Sequence, residues 1–275
     1  MAELVDTHCH IQSAGLQRGE RTTRELWAKA PELTPDQIIT NAHEAGVTRL
    51  LCVGCDLADS RLAVDFVQQR ENCWTTIGIH PHEAQHFAGK PPLLDEFAAL
   101  ATKPKVVAVG ECGLDYFYTH SPKEVQLQVL KFQIELALVH NLPLVFHVRE
   151  AFEDFWPVFD ALNRKARPIR GVLHSFTDTN ENLREALKRN LHIGVNGIAT
   201  FAKNPEQLDV YRSIPLQRLL LETDAPFLTP TPYRGSINEP KQIGTIADFL
   251  AELRGEDRSA MAQETTHNAR KLFGI

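Results

Sequence analysis

Residues 106–116 read VVAVGECGLDY, an apolar run that leads through a glycine into a glutamate and a cysteine. Parallel strands that are buried on both faces have continuous apolar runs of this kind. The stretch therefore predicts a buried parallel strand over 106–110. The carboxylate of Glu111 and the thiol of Cys112 follow at its carboxyl end, which raises the question of which one takes part in chemistry.

Similar runs recur along the whole chain. Strands are predicted at 4–8, 48–54, 74–79, 106–110, 142–147, 170–174, 192–196 and 218–223. Segments with helical periodicity separate them, and a last helix is predicted near 257–272. Strict alternation of strands and helices implies right-handed crossovers between parallel strands. Eight such units predict an α/β fold, a (β/α)8 TIM barrel whose active site lies at the C-terminal face of the strands.

The clearest helical pattern covers residues 121–140, with Ser121 as its predicted N-cap. Its apolar stripe consists of Val125, Val129, Phe132, Leu136 and Val139. No linker or shift of composition interrupts the chain, so we expect one hydrolase domain over 1–275. The segment at about 14–35 is long, charged and weakly patterned, and we interpret it as an insertion after the first strand, either a substrate-contacting lid or a neutral addition.

Composition limits the class of protein. The net charge of -6 excludes a polybasic nucleic-acid binder, so any recognition of phosphate must be local. Five scattered cysteines do not suggest a disulfide framework, and the Cys52–Cys55 pair lacks the second pair of a zinc site. The N-terminus does not resemble a signal peptide, and no apolar run approaches the roughly 18 to 20 residues of a membrane span. We expect a cytoplasmic monomer without membrane contact.

Polar residues that are unusual for a barrel interior fall at the carboxyl ends of the predicted strands. A single histidine after an apolar run is usually a hydrogen-bonded core residue, and Asp224 before Ala-Pro could be a turn residue. Their coincidence at one face of a barrel favours a metal centre, because buried imidazoles and carboxylates are otherwise costly to desolvate. These residues are His8, His10, His80, His82, Glu111, His147, His174 and Asp224.

His8 and His10 are two residues apart on a strand, so their side chains point in the same direction and can reach one ion. The complete set has too many ligands for one closed tetrahedral site, and it suits two ions that share a bridging carboxylate. Glu111 is the residue best placed to bridge them. Strand alternation turns Cys9 and Cys112 away from this face, so we expect both to pack in the core.

The chain resembles the TatD family of metal-dependent deoxyribonucleases, a branch of the amidohydrolase-like superfamily. The resemblance is carried by DTHCHI, GIHPHE, VGECGLDY, LVFHVRE, LHSF, LLLETDAPFL, NEP and HNARKLFGI, in the family's order over almost the whole chain. It implies two divalent cations, Mg²⁺, Mn²⁺ or Zn²⁺. His8, His10, Glu111 and Asp224 would hold one ion, and Glu111, His147 and His174 the other.

The implied activity is hydrolysis of a phosphodiester by a metal-bound hydroxide, a deoxyribonuclease that degrades single-stranded or frayed DNA ends with little sequence specificity. Asp224 is the expected general base, Glu111 the bridging carboxylate, and His80 a group that orients the phosphate or protonates the leaving oxygen. The expected substrate contacts are His82, Tyr116, Arg149, Lys203 and Arg234. Tyr116 and Phe117 could stack on a base or pack beneath their loop.

Two other functions use the same residues differently. An amidohydrolase-type enzyme would open an ester, amide or lactone, for example the ester of a mischarged aminoacyl-tRNA, and fold alone does not choose between these substrates. A glutamate instead of a modified lysine after strand four favours the nuclease branch. A non-catalytic binding protein on a relict barrel is the third possibility, and the complete ligand set argues against it.

Overall fold

The structure, a computed structural model, describes residues 3–16 and 19–275. All eight predicted strands are present. Their bounds are β1 Leu4–Cys9, β2 Val47–Val53, β3 Cys73–Ile77, β4 Val106–Asp115, β5 Leu144–Arg149, β6 Gly171–Leu173, β7 His192–Val195 and β8 Leu219–Leu221. The strands follow one another in the sheet in the order β1 to β8. The predicted (β/α)8 barrel is therefore confirmed.

Ten α-helices occur in the described part of the chain, two more than one per strand. They are α1 Arg21–Trp27, α2 Pro35–Glu44, α3 Leu57–Gln68, α4 Pro91–Ala98, α5 Lys123–His140, α6 Phe152–Leu162, α7 Asn180–Lys188, α8 Pro205–Ser213, α9 Ile243–Arg254 and α10 Arg258–Phe273. The additional helices are α1, which lies in the charged 14–35 segment, and the predicted last helix, α10. None of these helices is long and apolar enough to span a bilayer.

The chain divides into two compact units, Met1–Cys52 with Ser175–Ile275, and Val53–His174. In the first unit β1 lies between β2 and β8, since it pairs with β2 in parallel and the Thr7 hydroxyl donates to the carbonyl of Leu221 at 2.9 Å. The first and last strands are thus neighbours in this unit. The expectation of a single domain over 1–275 stays a prediction.

In the second unit β4 pairs with β3 and β5, and it is longer than predicted. The strand continues past Gly110 to Asp115, with a shift of register between Gly110 and Cys112. Glu111 therefore lies within β4 and not at its end. At Gly113 φ is +156°, and a Cβ there would lie 1.8 Å from the carbonyl oxygen of His147, so only glycine lets the backbone of β5 approach so closely.

The predicted apolar stripe of α5 is partly wrong. Val139 is 69% exposed, whereas Gln126 and Gln133 are buried. Ser121 is not the N-cap either, because α5 begins at Lys123 with Pro122 before it. The Ser121 hydroxyl instead donates to the carbonyl of His82 at 2.8 Å.

The charged 14–35 segment is partly helical, although residues 17 and 18 lie outside the described residues. Glu20 caps α1, accepting hydrogen bonds from the amides of Thr22 and Thr23 at 2.8 and 2.6 Å. Trp27 at the end of α1 is buried. Its indole nitrogen donates to the carbonyl of His10 at 2.9 Å, which ties the segment to the first strand's end.

Candidate functional site

In the second unit, three imidazoles surround one carboxylate oxygen. Glu111 is 5% exposed, and its Oε1 lies 2.8 Å from His147 Nδ1, 3.6 Å from His80 Nε2 and 3.7 Å from His174 Nε2. The four residues come from β4, from β5 and from the segments that follow β3 and β6. Residues in or just after four consecutive strands, β3 to β6, therefore lie close together.

The donor set fits a divalent metal ion. Atoms that bind one ion at about 2.0–2.2 Å are separated from each other by roughly 3 to 3.5 Å. The distances from Glu111 Oε1 to the imidazole nitrogens lie close to this range. His80, Glu111 and His147 form a group in which the ligand atoms all lie within 4.8 Å of one another. Mixed imidazole and carboxylate donors are typical of zinc and manganese as well as other divalent cations.

Asp115 connects His147 to His82. Its Oδ2 lies 3.0 Å from His147 Nε2 and 3.1 Å from His82 Nε2, and the carboxylate is buried. Because Asp115 holds Nε2 of His147, Nδ1 is the nitrogen that faces Glu111. A carboxylate that fixes the ring of a metal-binding histidine in this way is a common supporting contact.

The first unit contributes a second cluster. Asp224 Oδ1 lies 3.6 Å from His8 Nε2 and 3.3 Å from His10 Nε2. Both imidazoles are almost completely buried, and the Asp224 side chain is 15% exposed. Two backbone hydrogen bonds fix the arrangement, from the Asp224 amide to the carbonyl of His8 and from the His10 amide to that of Ala225, each 2.8 Å long.

A buried carboxylate supports this second cluster. Asp6 accepts the amide of His8 at 3.1 Å and the amide of Thr223 at 3.0 Å, and its other oxygen accepts the Thr223 hydroxyl at 2.5 Å. Burial raises the pKa of Asp6 to about 8, although these hydrogen bonds act in the opposite direction. Asn238, from the NEP motif, donates to the carbonyls of Thr223 and Phe227 at 2.9 and 2.6 Å, which holds the turn that carries Asp224.

Two of the histidines beside the Glu111 carboxylate, His80 and His147, have opposite pKa shifts. Burial lowers the pKa of His80 well below its ordinary value, and the nearby Glu111 carboxylate offsets only part of this effect. Burial acts on His147 in the same direction, but its hydrogen bonds to Asp115 and Glu111 raise the pKa of His147 to about 9. Neutral imidazole is the form that binds metals, and His80 is neutral at pH 7 without any metal.

The predicted substrate contacts lie at the end of β5, in the case of Arg149, or in segments that follow the strands. His82 is partly buried against Asp115, and the Tyr116 hydroxyl donates to Asp154 at 2.8 Å. Arg149, the last residue of β5, is exposed, as are Lys203 and Arg234 in the first unit. The guanidinium carbon of Arg234 lies 3.7 Å from the centre of the Phe201 ring. Their roles as substrate contacts stay predictions.

The thiols beside the predicted ligands are part of the core. Cys9 and Cys112 are completely buried, and none of the five cysteines forms a disulfide bond among the described residues. The sulfur of Cys112 lies 3.6 Å from the carbonyl oxygen of Val145, facing away from the side of β4 that carries Glu111. Burial raises the pKa of the Cys112 thiol, and the neighbouring Glu111 carboxylate adds to the effect, so the thiolate is suppressed.

Comparison with known proteins gives the family. A family model described as TatD related DNase matches residues 5–274. The chain belongs to this family. It is 35% identical over 272 residues to the uncharacterized metal-dependent hydrolase YabD of Bacillus subtilis, covering 99% of both chains. It is 35% identical over 245 residues to the 3′-5′ ssDNA/RNA exonuclease TatD of Escherichia coli K12, covering 87% of this chain and 93% of the relative.

Solved structures of the TatD family have the same fold. The YJJV TatD homolog from Escherichia coli superimposes with a TM-score of 0.85 at 25% identity, covering 99% of this chain and 98% of that one. A TatD family hydrolase from Entamoeba histolytica gives a TM-score of 0.84 at 25% identity, with 99% of each chain covered. The predicted TatD-type metal-dependent hydrolase is thereby confirmed at the level of the family.

Two residues of this TatD-family protein have contacts that sequence reasoning did not predict. The sequence does not predict the contacts of Asp115 with the imidazoles of His82 and His147. The available signal was the alternation of Glu111, Gly113 and Asp115, which lie on one side of β4 once the strand is known to continue. Trp27 lies in a segment without clear patterning, so no signal pointed to its contact with His10.

Proposed function

We propose that this TatD-family protein is a metal-dependent phosphodiesterase that removes nucleotides from an end of single-stranded DNA. The observation that carries the proposal is the Glu111 carboxylate with three imidazole nitrogens within 3.7 Å of one of its oxygens. Family membership supports it, as does the name of the Escherichia coli relative, a 3′-5′ exonuclease of single-stranded DNA and RNA.

In this proposal the two clusters serve one dinuclear centre. The carboxyl ends of all strands in a (β/α)8 barrel meet at one face, which is where such enzymes have their active sites. His8, His10, Glu111 and Asp224 would hold one ion, and Glu111, His147 and His174 the other. When bound, divalent cations would lower the pKa of water and polarise the phosphoryl oxygens.

The side chains have separate tasks. Asp224 is the proton acceptor, because it reaches solvent while His8 and His10 beside it are buried. Neutral His80 orients the scissile phosphate through a hydrogen bond and does not supply a proton at pH 7. Exposed Arg149 contacts a backbone phosphate, the most common role of arginine on nucleic acids. The chain acts as a cytoplasmic monomer in this proposal.

The test is degradation of 3′- and 5′-labelled single-stranded DNA and RNA by wild type and Glu111→Ala, with Mg²⁺, Mn²⁺ or Zn²⁺ and with chelator. Glu96→Ala is the matched control, since Glu96 is an exposed glutamate paired with Arg61. We expect cleavage by wild type and control with metal only, and a loss of at least a hundredfold in Glu111→Ala. Equal cleavage by Glu111→Ala would refute the ligand set. Hydrolysis of aminoacyl esters or lactones without cleavage of nucleic acid would assign the alternative hydrolase function.

A further inference from the structure

Two neighbouring aromatic side chains project into solvent from the loop after β4. Phe117 is 50% exposed and Tyr118 is 51% exposed. Single exposed apolar residues are ordinary, whereas contiguous ones often mark a binding surface. Among the described residues the exposed large apolar side chains are Leu16, Phe117, Tyr118, Val139 and Tyr233. Phe117 and Tyr118 are thus the adjacent pair in this group, and both follow a strand that carries a predicted metal ligand.

Hydrogen bonds fix the loop backbone that carries these two rings. Asp115 Oδ1 accepts the amides of both Phe117 and Tyr118 at 3.0 Å. The amide of Tyr116 donates to the carbonyl of Arg149 at 3.0 Å, which attaches the loop to the end of β5. A surface that is ordered before binding loses little entropy when a ligand arrives.

An arginine lies over both rings. The guanidinium carbon of Arg149 is 3.9 Å from the centre of the Phe117 ring and 4.9 Å from that of Tyr118. The two rings stand nearly perpendicular, at 87°, so they enclose the guanidinium from two sides. These cation–π contacts hold the charge beside the exposed rings.

The rings also connect to the candidate site within the second unit. Tyr118 lies nearly parallel to His120, with 15° between the planes and 5.9 Å between the centres. The His82 ring contacts the Tyr118 and His120 rings edge-on, with 5.6 Å and 4.6 Å between the ring centres. His82 in turn contacts Asp115, which also holds His147. One histidine therefore separates this surface from the carboxylate that supports the cluster.

We propose that Phe117, Tyr118, His120 and Arg149, the aromatic patch, form a stacking site for one unpaired nucleobase of the substrate strand. The proposal rests on the proposed nuclease function and specifies which part of the substrate is recognised. Aromatic rings stack on any base, since every base has a π-face, and a phosphate beside the base can contact Arg149. A base in a duplex already has both faces stacked, so the patch selects single strands.

The probe is a fluorescent five-residue oligothymidylate with phosphorothioate linkages, which resist hydrolysis, compared with an abasic chain of the same backbone. Each is titrated into the metal-loaded protein and followed by anisotropy. We expect wild type to bind the base-bearing chain about tenfold or more tightly than the abasic one. Phe117→Leu/Tyr118→Leu keeps apolar volume but removes both rings, and should bind the two chains equally. Val139→Ala removes an exposed apolar residue elsewhere and should keep the preference.

Arg149→Gln adds a second measurement. If Arg149 contacts phosphate, this variant should weaken binding of both chains by the same factor and keep the preference for bases. Equal binding of the two chains by wild type, or an unchanged preference in the double leucine variant, would overturn the proposal. Cleavage of unmodified DNA by wild type is assayed separately. Wild type that cleaves DNA but shows no base preference would reject the patch alone, and wild type that shows base preference without cleavage would reject the nuclease function alone.

Discussion

Replacing Asp115 by asparagine is the sharpest test of how the protein supports its candidate metal ligands. One oxygen of this carboxylate accepts two loop amides, and the other lies 3.0 and 3.1 Å from His147 and His82. Asparagine retains the oxygen for the amides and places an NH2 donor opposite the imidazoles. The change therefore removes the contact with His147 while the loop keeps its hydrogen bonds.

The expected loss is in metal affinity. Removing a carboxylate that holds a metal-binding histidine costs about 10- to 100-fold, or roughly 1.4 to 2.7 kcal/mol. Competition of Mn²⁺ or Zn²⁺ with a fluorescent chelator measures it directly. Asp115→Ala should lose at least as much affinity and also lower the melting temperature, because it leaves the amides of Phe117 and Tyr118 without an acceptor.

The control is Asp154→Asn, which disturbs the same loop through the Tyr116 hydroxyl and touches no imidazole. It should bind metal like wild type. Wild-type affinity in Asp115→Asn, or an equal loss in Asp154→Asn, would show that Asp115 does not position His147 for a metal.

Three further predictions concern the fold and the charged segment. Gly113→Ala should lower the free energy of unfolding by about 3 kcal/mol in urea, because the new Cβ would collide with the His147 carbonyl. A loss of stability no larger than that of an ordinary surface substitution would contradict the close approach. Trp27→Phe should cost about 1 kcal/mol or more in the same assay, since the buried His10 carbonyl loses its donor; an unchanged midpoint would refute that contact. Hydrogen bonds lower the pKa of Glu20 against the effect of burial, so its stabilisation of α1 is present above pH 4.5 and lost as the pH falls through the folded-state pKa. Glu20→Gln should therefore speed amide exchange in α1 at pH 7, and the difference from wild type should shrink as the pH is lowered stepwise below 4.5. A difference that does not change with pH would exclude this capping role.

The barrel was predictable because each strand is an apolar run, and the expectation that polar strand ends gather at one face followed from the barrel. The true length of β4 could not be predicted in the same way. Gly110 and Gly113 within an acidic stretch indicate a turn, yet both glycines allow the close approach of β5. A Cβ at Gly110 would lie 2.4 Å from the carbonyl oxygen of Val145, and a Cβ at Gly113 would lie 1.8 Å from that of His147. That requirement exists only once the partner strand is in place.

Helix α5 shows the limit of hydropathy as a guide. Its buried Gln133 accepts the amide of Ile79 at 2.8 Å and donates to the carbonyl of the same residue at 2.9 Å. Gln126 satisfies the backbone of Asp115 in the same manner, at 2.8 and 3.0 Å. These side-chain amides supply hydrogen-bond partners to the backbone of Asp115 at the end of β4 and of Ile79 just after β3. A pattern of apolar residues cannot reveal a helix face that is selected for hydrogen bonding.

The indole of Trp27 has a consequence for anyone who exchanges loops between TatD-family proteins. Its hydrogen bond to the carbonyl of His10 attaches α1 to the end of β1, so this helix is not a detachable module. A shorter graft must bring its own donor to that carbonyl. Grafts chosen for this donor, with length as the second criterion, should fold with the end of β1 unchanged.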